Sequence, residues 1–208
     1  IKKISEIAHQ YGVQVIVDGA HAFAHIQYSI ADLGCDYYAA SLHKWLSVPL
    51  GAGILFVKKE HIKNIWPLFG DNEKDQNKIK RINHTGTHPV HTDLTIPDSI
   101  AYYQMIGPAK KEARLRYLQQ YWTSKVKDNS NIILNTPTTP DRSCAISNVG
   151  IKNMKPAILA ERLMKEHKIF TVAIDYANVQ GCRITPNLYT TTKELDVFVA
   201  ALNTLSKA

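Results

Sequence analysis

Apolar residues recur at helical spacing from the first residues of the chain, with Ile4, Ile7 and Ala8 on one face and Gly12 where such a helix would end. Residues 13–17 form a short β-rich run of the kind buried on both faces of a parallel sheet. After a loop, residues 31–34 predict a short helical turn, 36–40 a second strand and 53–57 a third. Residues 59–68 predict a short helix broken by Pro67, and residues 71–91 are polar and aperiodic, the pattern of an ordered loop or excursion, of a length usually functional or disordered. Helical periodicity returns at 92–106, stops at Gly107-Pro108, and resumes at 109–127 with Leu115, Leu118, Trp122 and Val126 on one side. The remaining segments predict strands at 131–134, 145–151, 169–174 and 182–185 and helices at 156–167 and 193–205.

The first half thus alternates helix and strand as in an α/β fold with a mostly parallel sheet, and the second half reads as a smaller α+β unit with its own core. We expect a boundary near residue 107, separating residues 1–106 from 107–208. At 208 residues and 45% hydrophobic content the chain has enough apolar surface for packed cores. It opens on Ile1, already in helical phase, so a segment is expected to precede it. No run reaches the roughly 20 apolar residues that span a bilayer, and a soluble protein is expected. Three widely spaced cysteines, with no CxxC pair, fit a reducing cytoplasm better than a disulfide framework or a zinc site. The net charge of +7 is scattered, so a basic nucleic-acid-binding or interaction protein is the weaker, non-enzymatic alternative.

Three polar residues interrupt strand ends: Asp18 after residues 13–17, Lys44 just after residues 37–41, and Arg183 inside a late strand. Each has an ordinary explanation taken alone. Asp-Gly is a common turn, a lysine at a strand end is usually solvated, and a single arginine is usually ion-paired or at the surface. In parallel sheets, however, ligands gather at the carboxyl ends of strands, which places Asp18 and Lys44 at one crevice. His21, His25, His84, His88 and His91 invite a metal reading, and the last three have spacings that would suit a helix face, but Thr85-Gly86-Thr87 and Pro89 break that helix, no carboxylate or Cys completes a set, and no metal is expected.

The joint pattern is more specific. Asp18-Gly19-Ala20-His21, Ser41-Leu42-His43-Lys44-Trp45-Leu46, Pro49, Gly51-x-Gly53, Gly86-Thr87 and Arg183-Ile184-Thr185-Pro186 occur in this order. This arrangement resembles the class V aminotransferase superfamily of fold-type-I pyridoxal-phosphate (PLP) enzymes, in its isopenicillin-N-epimerase-like branch. Nearly the whole chain resembles the C-terminal half of such an enzyme: residues 1–106 the later part of the PLP-binding large domain, residues 107–208 the small domain. The resemblance implies that Lys44 forms an imine with the PLP aldehyde and moves the substrate's Cα proton. It implies that Asp18 pairs with the pyridine nitrogen, His21 contacts the phenolic oxygen, and Ser41 and His43 hold phosphate. Gly86 and Thr87 would reach the neighbouring active site of a homodimer, and Arg183 would hold the substrate α-carboxylate.

The reaction implied is chemistry at the α-carbon of an amino acid or a derivative, of aminotransferase or epimerase type. Cysteine desulfurase or C–S lyase activity is the alternative within the superfamily. Desulfurases carry a nucleophilic Cys on a loop before the carboxylate-binding arginine. Here residues 170–181 hold none, Cys182 abuts Arg183, and Cys144 lies near a strand start with no assigned role.

Overall fold

The computed structural model describes residues 1–70, 73–83, 86, 90–137, 139 and 141–207. The chain divides into two compact units, Ile1–Pro108 and Ala109–Ala208.

In the first unit, helix α1 (Lys2–Gln10) ends where Gly12 adopts φ 67° and the Val13 amide turns back to the Ala8 carbonyl at 3.0 Å. Strand β1 (Ile16–Asp18) is shorter than its apolar run. Its expected beginning over residues 13–15 is taken out of the ladder, because the Val15 amide donates to the Asp36 carboxylate (2.7 Å) while the Val15 carbonyl accepts from the Asp36 and Tyr37 amides. Strand β2 (Tyr37–Ser41) pairs with β1 in parallel, and β3 (Gly53–Val57) pairs with β2 antiparallel, giving the order β1-β2-β3. The α/β expectation holds, with a mixed sheet among the described residues in place of a mostly parallel one. Tyr38 and Ala40 point from β2 into a core shared with Val17 and Cys35.

Residues 59–68 form a 3-10 turn over Lys59–Asn64 instead of a longer helix. The polar stretch contains another such turn at Ile79–Ile82, and the expected helix over 92–106 is two: α2 (Val90–Leu94) and α3 (Ile96–Ile106). One carboxylate ties several of these elements together. Buried Asp36 accepts from His9 of α1 (2.8 Å), from Lys58 after β3 (2.9 Å) and from His61 in the 3-10 turn (3.1 Å).

The second unit is an antiparallel sheet in the order β4-β5-β7-β6, formed by β4 (Ile132–Leu134), β5 (Ser147–Ile151), β6 (Val172–Tyr176) and β7 (Val179–Ile184). β6 and β7 form a hairpin closed by Ala177-Asn178, so both strands run closer to this turn than their apolar runs predict. Helices α4 (Pro108–Val126), α5 (Pro156–His167) and α6 (Thr192–Leu205) contribute Leu118, Trp122, Leu159, Leu163, Phe198 and Leu202 to one core with Val149 and Cys182. Trp122 meets Phe198 edge-on with ring centroids 5.3 Å apart. α6 begins with a reciprocal capping box between Thr191 and Glu194. No helix among the described residues is long and apolar enough to cross a membrane.

Candidate active site

Because β1 and β2 are parallel, with Asp18 opposite Ala39, both strands present their carboxyl ends at one edge of the sheet. The chain leaves β1 in a tight turn. The Gly19 amide donates to the Ala39 carbonyl at 2.8 Å, and the Gly19 carbonyl accepts from the Ala22 and Phe23 amides, each at 2.9 Å. Asp18 is exposed, and its Oδ1 accepts from the Ala20 amide at 3.0 Å, so the carboxylate both caps the turn and faces solvent. Gly19 is required by close approach: a Cβ there would lie 1.9 Å from the Tyr38 hydroxyl. That hydroxyl donates to the Gly19 carbonyl at 3.2 Å and is itself hydrogen-bonded to the Tyr28 hydroxyl. Burial, reinforced by the Tyr38 hydrogen bond, pushes the Tyr28 phenol far above its ordinary range, so it stays neutral and hydrogen-bonding.

Lys44 lies in the loop between antiparallel β2 and β3. This loop is closed by the Leu42 amide on the Ala52 carbonyl (3.1 Å) and the Val48 amide on the Leu42 carbonyl (3.2 Å). Leu42, Trp45, Leu46, Val48 and Ala52 are buried and anchor the loop from below. Thr92, in the middle of α2, adds a bond from its hydroxyl to the Leu50 carbonyl. Between these anchors, Ser41 and Lys44 are left half-buried and His43 exposed. The Lys44 amine sits 3.4 Å from Nε2 of exposed His21. The structure therefore brings Lys44 and His21 together, beside the turn capped by Asp18.

Two residues to which the sequence patterns assign no role complete this arrangement. His25 is buried, its Nδ1 is 2.9 Å from the His21 carbonyl, and its ring lies flat on that of Trp45, with centroids 3.9 Å apart and planes 5° from parallel. The available signals were the i, i+4 spacing of His21 and His25 within a turn and the position of Trp45 next to Lys44.

Gly86 is exposed, and among the described residues nothing lies near enough to meet a Cβ there; Thr87 lies outside the described residues, as do His84 and His88. Arg183 is half-buried in β7, a central strand of the second unit, in register with Asn148 of β5 and Val172 of β6. Among the described residues no group of three or more His, Cys, Asp or Glu is placed to hold a metal ion. Cys35, Cys144 and Cys182 are all buried and free, and burial pushes each thiol upward, away from the reactive thiolate.

Comparison with known proteins agrees with this architecture. Residues 1–198 match the family model "Aminotransferase class-V". The isopenicillin N epimerase of Streptomyces clavuligerus is 27% identical over 98% of this chain and 56% of its own length. A cysteine desulfurase of Wigglesworthia glossinidia brevipalpis is 26% identical over 99% of this chain and 54% of its own length. Among solved structures, the apo cysteine desulfurase from Thermococcus onnurineus NA1 superposes with a TM-score of 0.85 at 19% identity, over 100% of this chain and 56% of that one. An alanine–glyoxylate aminotransferase from Nostoc sp. superposes with a TM-score of 0.76 at 15% identity, over 98% of this chain and 56% of that one. The chain spans about half the length of the relatives it matches. The family-model match covers nearly the whole of the chain, and the chain belongs to the class V aminotransferase family.

Proposed function

We propose that this chain is the part of a PLP-dependent enzyme that holds the cofactor through Lys44, and that the enzyme acts at the α-carbon of an amino acid or a close derivative. The observation that carries this reading is the amine of Lys44, 3.4 Å from His21, at the sheet edge where Asp18 also lies. The residues present fit the cofactor. An exposed carboxylate with only Oδ1 tied to the backbone suits a protonated ring nitrogen, and a half-buried lysine beside an imidazole suits a tethering amine. Ser41, at the end of β2, and His43, in the loop that follows, offer donors for a phosphate.

Bound PLP would supply an aldehyde carbon that takes up an amine and a ring that withdraws electrons from the substrate's Cα. The protein's part is acid–base and positional. The Lys44 amine takes the Cα proton and returns it, with His21 as its hydrogen-bonding neighbour. Asp18 favours the positive charge on the ring nitrogen, so its loss harms chemistry more than binding. Arg183 receives the substrate α-carboxylate in its planar fork. Gly86 and Thr87 serve the neighbouring site of a homodimer, in a cytoplasmic enzyme.

Reprotonation of Cα on its opposite face would be epimerisation or racemisation, whereas transamination would place that proton on the cofactor instead of on Cα. Persulfide-forming desulfuration on a cysteine of this chain is disfavoured, because all three thiols are buried and raised above their ordinary range. The test is to incubate the full-length PLP-loaded protein with single amino acids in deuterium oxide. Substrates are expected to gain deuterium at Cα and to shift the visible absorption band. A protein that takes up PLP yet exchanges no α-proton from any amino acid or derivative refutes the reading.

A further inference from the structure

His21 and Lys44 come from separate segments, the turn after β1 and the loop after β2, and their side chains meet beyond the last ladder contact between those strands. Phe23 and Ala24 pack against Leu42, Leu46 and Val48, which holds the two segments together without fixing an orientation. His25 and Trp45 add direction. The acceptor at His21 is a carbonyl, so His25 carries its proton on Nδ1, which fixes the tautomer and the ring plane. That plane is the one on which Trp45 lies, 5° from parallel, and Trp45 is covalently next to Lys44. A continuous path therefore runs from the His21 backbone through the His25 ring and the Trp45 ring to the Lys44 backbone.

We propose that His25 and Trp45 are positioning residues that set the approach of the Lys44 amine to His21, and so determine how fast Lys44 captures an aldehyde cofactor; the second clause rests on the function proposed above. Neither ring needs to touch the reacting atoms. Misplacement of a reacting amine by about 1 Å costs on the order of a hundredfold in rate.

The experiment compares the full-length protein with Trp45→Phe, Trp45→Leu and His25→Leu. Apoprotein is mixed with PLP, quenched with borohydride at intervals, and the adduct on Lys44 is counted by mass spectrometry. Trp45→Phe keeps an aromatic face and is expected to attach PLP within about threefold of the parent, whereas Trp45→Leu and His25→Leu fall by roughly a hundredfold. A purely structural role would lower melting temperatures in step with the lost burial, without distinguishing phenylalanine from leucine in the attachment rate. Crystal structures of the apoproteins provide a readout independent of PLP: the 3.4 Å separation is expected to be kept in Trp45→Phe and lost in Trp45→Leu. Should His25→Leu fail to fold, the two Trp45 variants decide the matter. Attachment by Trp45→Leu at the parent rate, or an unchanged separation in its crystals, overturns the proposal. Failure of the parent itself to attach PLP refutes the function instead, and leaves the crystal comparison to judge the positioning.

Discussion

Replacing Asp36 by Asn should loosen the first unit around a single point. The carboxylate is buried and accepts from His9, Lys58, His61 and the Val15 amide, at distances from 2.7 to 3.1 Å. Burial works against its ionisation. The hydrogen bonds from His9, Val15, Lys58 and His61 outweigh that cost and hold the carboxyl well below the usual carboxylate range. Removing one partner of a buried ion pair costs about 3–5 kcal/mol, and the lower end applies here because the Lys58 and His9 side chains retain 28% and 37% exposure and can rehydrate. A loss of about 3 kcal/mol raises the local opening constant roughly a hundredfold. Amide hydrogen exchange read by mass spectrometry, in peptides covering residues 13–18 and 36–41, should show that acceleration at neutral pH. The sign of the pH dependence follows from the depressed folded value. The contribution is fully present above the unfolded carboxylate pKa of about 3.9 and is lost as pH falls toward the folded one, by about 1.4 kcal/mol per unit. The gap between parent and variant should therefore narrow below about pH 4. Exchange unchanged within threefold at pH 7, or a gap that widens in acid, would refute the reasoning.

Gly19→Ala places a methyl carbon 1.9 Å from the Tyr38 hydroxyl, so the turn carrying Asp18 must shift; a fall in melting temperature equivalent to about 1–3 kcal/mol, together with weaker PLP retention, is expected. Thr191→Ala removes the side-chain half of the capping box of α6 and should cost about 1 kcal/mol in a thermal melt, with no change in PLP binding. The three cysteines should resist an aromatic disulfide reagent in the native protein and react together on unfolding; rapid native labelling of Cys144 or Cys182 would reopen the desulfurase alternative.

Much of the candidate site is legible in the sequence, because the proposed chemistry depends on residue types at short spacings. An Asp-Gly after an apolar run, and a His-Lys between one such run and a Gly-x-Gly turn, are local signals, and parallel pairing of β1 with β2 puts them at one edge. What escaped the sequence depends on distant partners. His9, Lys58 and His61 lie 27, 22 and 25 residues from Asp36, and no periodicity announces that they converge on it. The stack of His25 on Trp45 joins segments that only the folded sheet brings together. Strand β1 is shorter than its apolar run because the Asp36 carboxylate captures the Val15 amide, a competitor that hydrophobicity does not register. The β6–β7 hairpin turns through Ala177 at φ 51° and Asn178, without the glycine that usually signals a two-residue turn, so the apolar runs place the two strands farther apart than they are.

The central claim is that Lys44 is the amine that holds PLP, and reducing the PLP-loaded full-length protein with borohydride before peptide mapping tests it most directly. The account predicts a single reduced pyridoxyl adduct, on Lys44, with the visible band and the adduct both lost in Lys44→Ala. An adduct on another lysine, or a visible band that persists in Lys44→Ala, would contradict it.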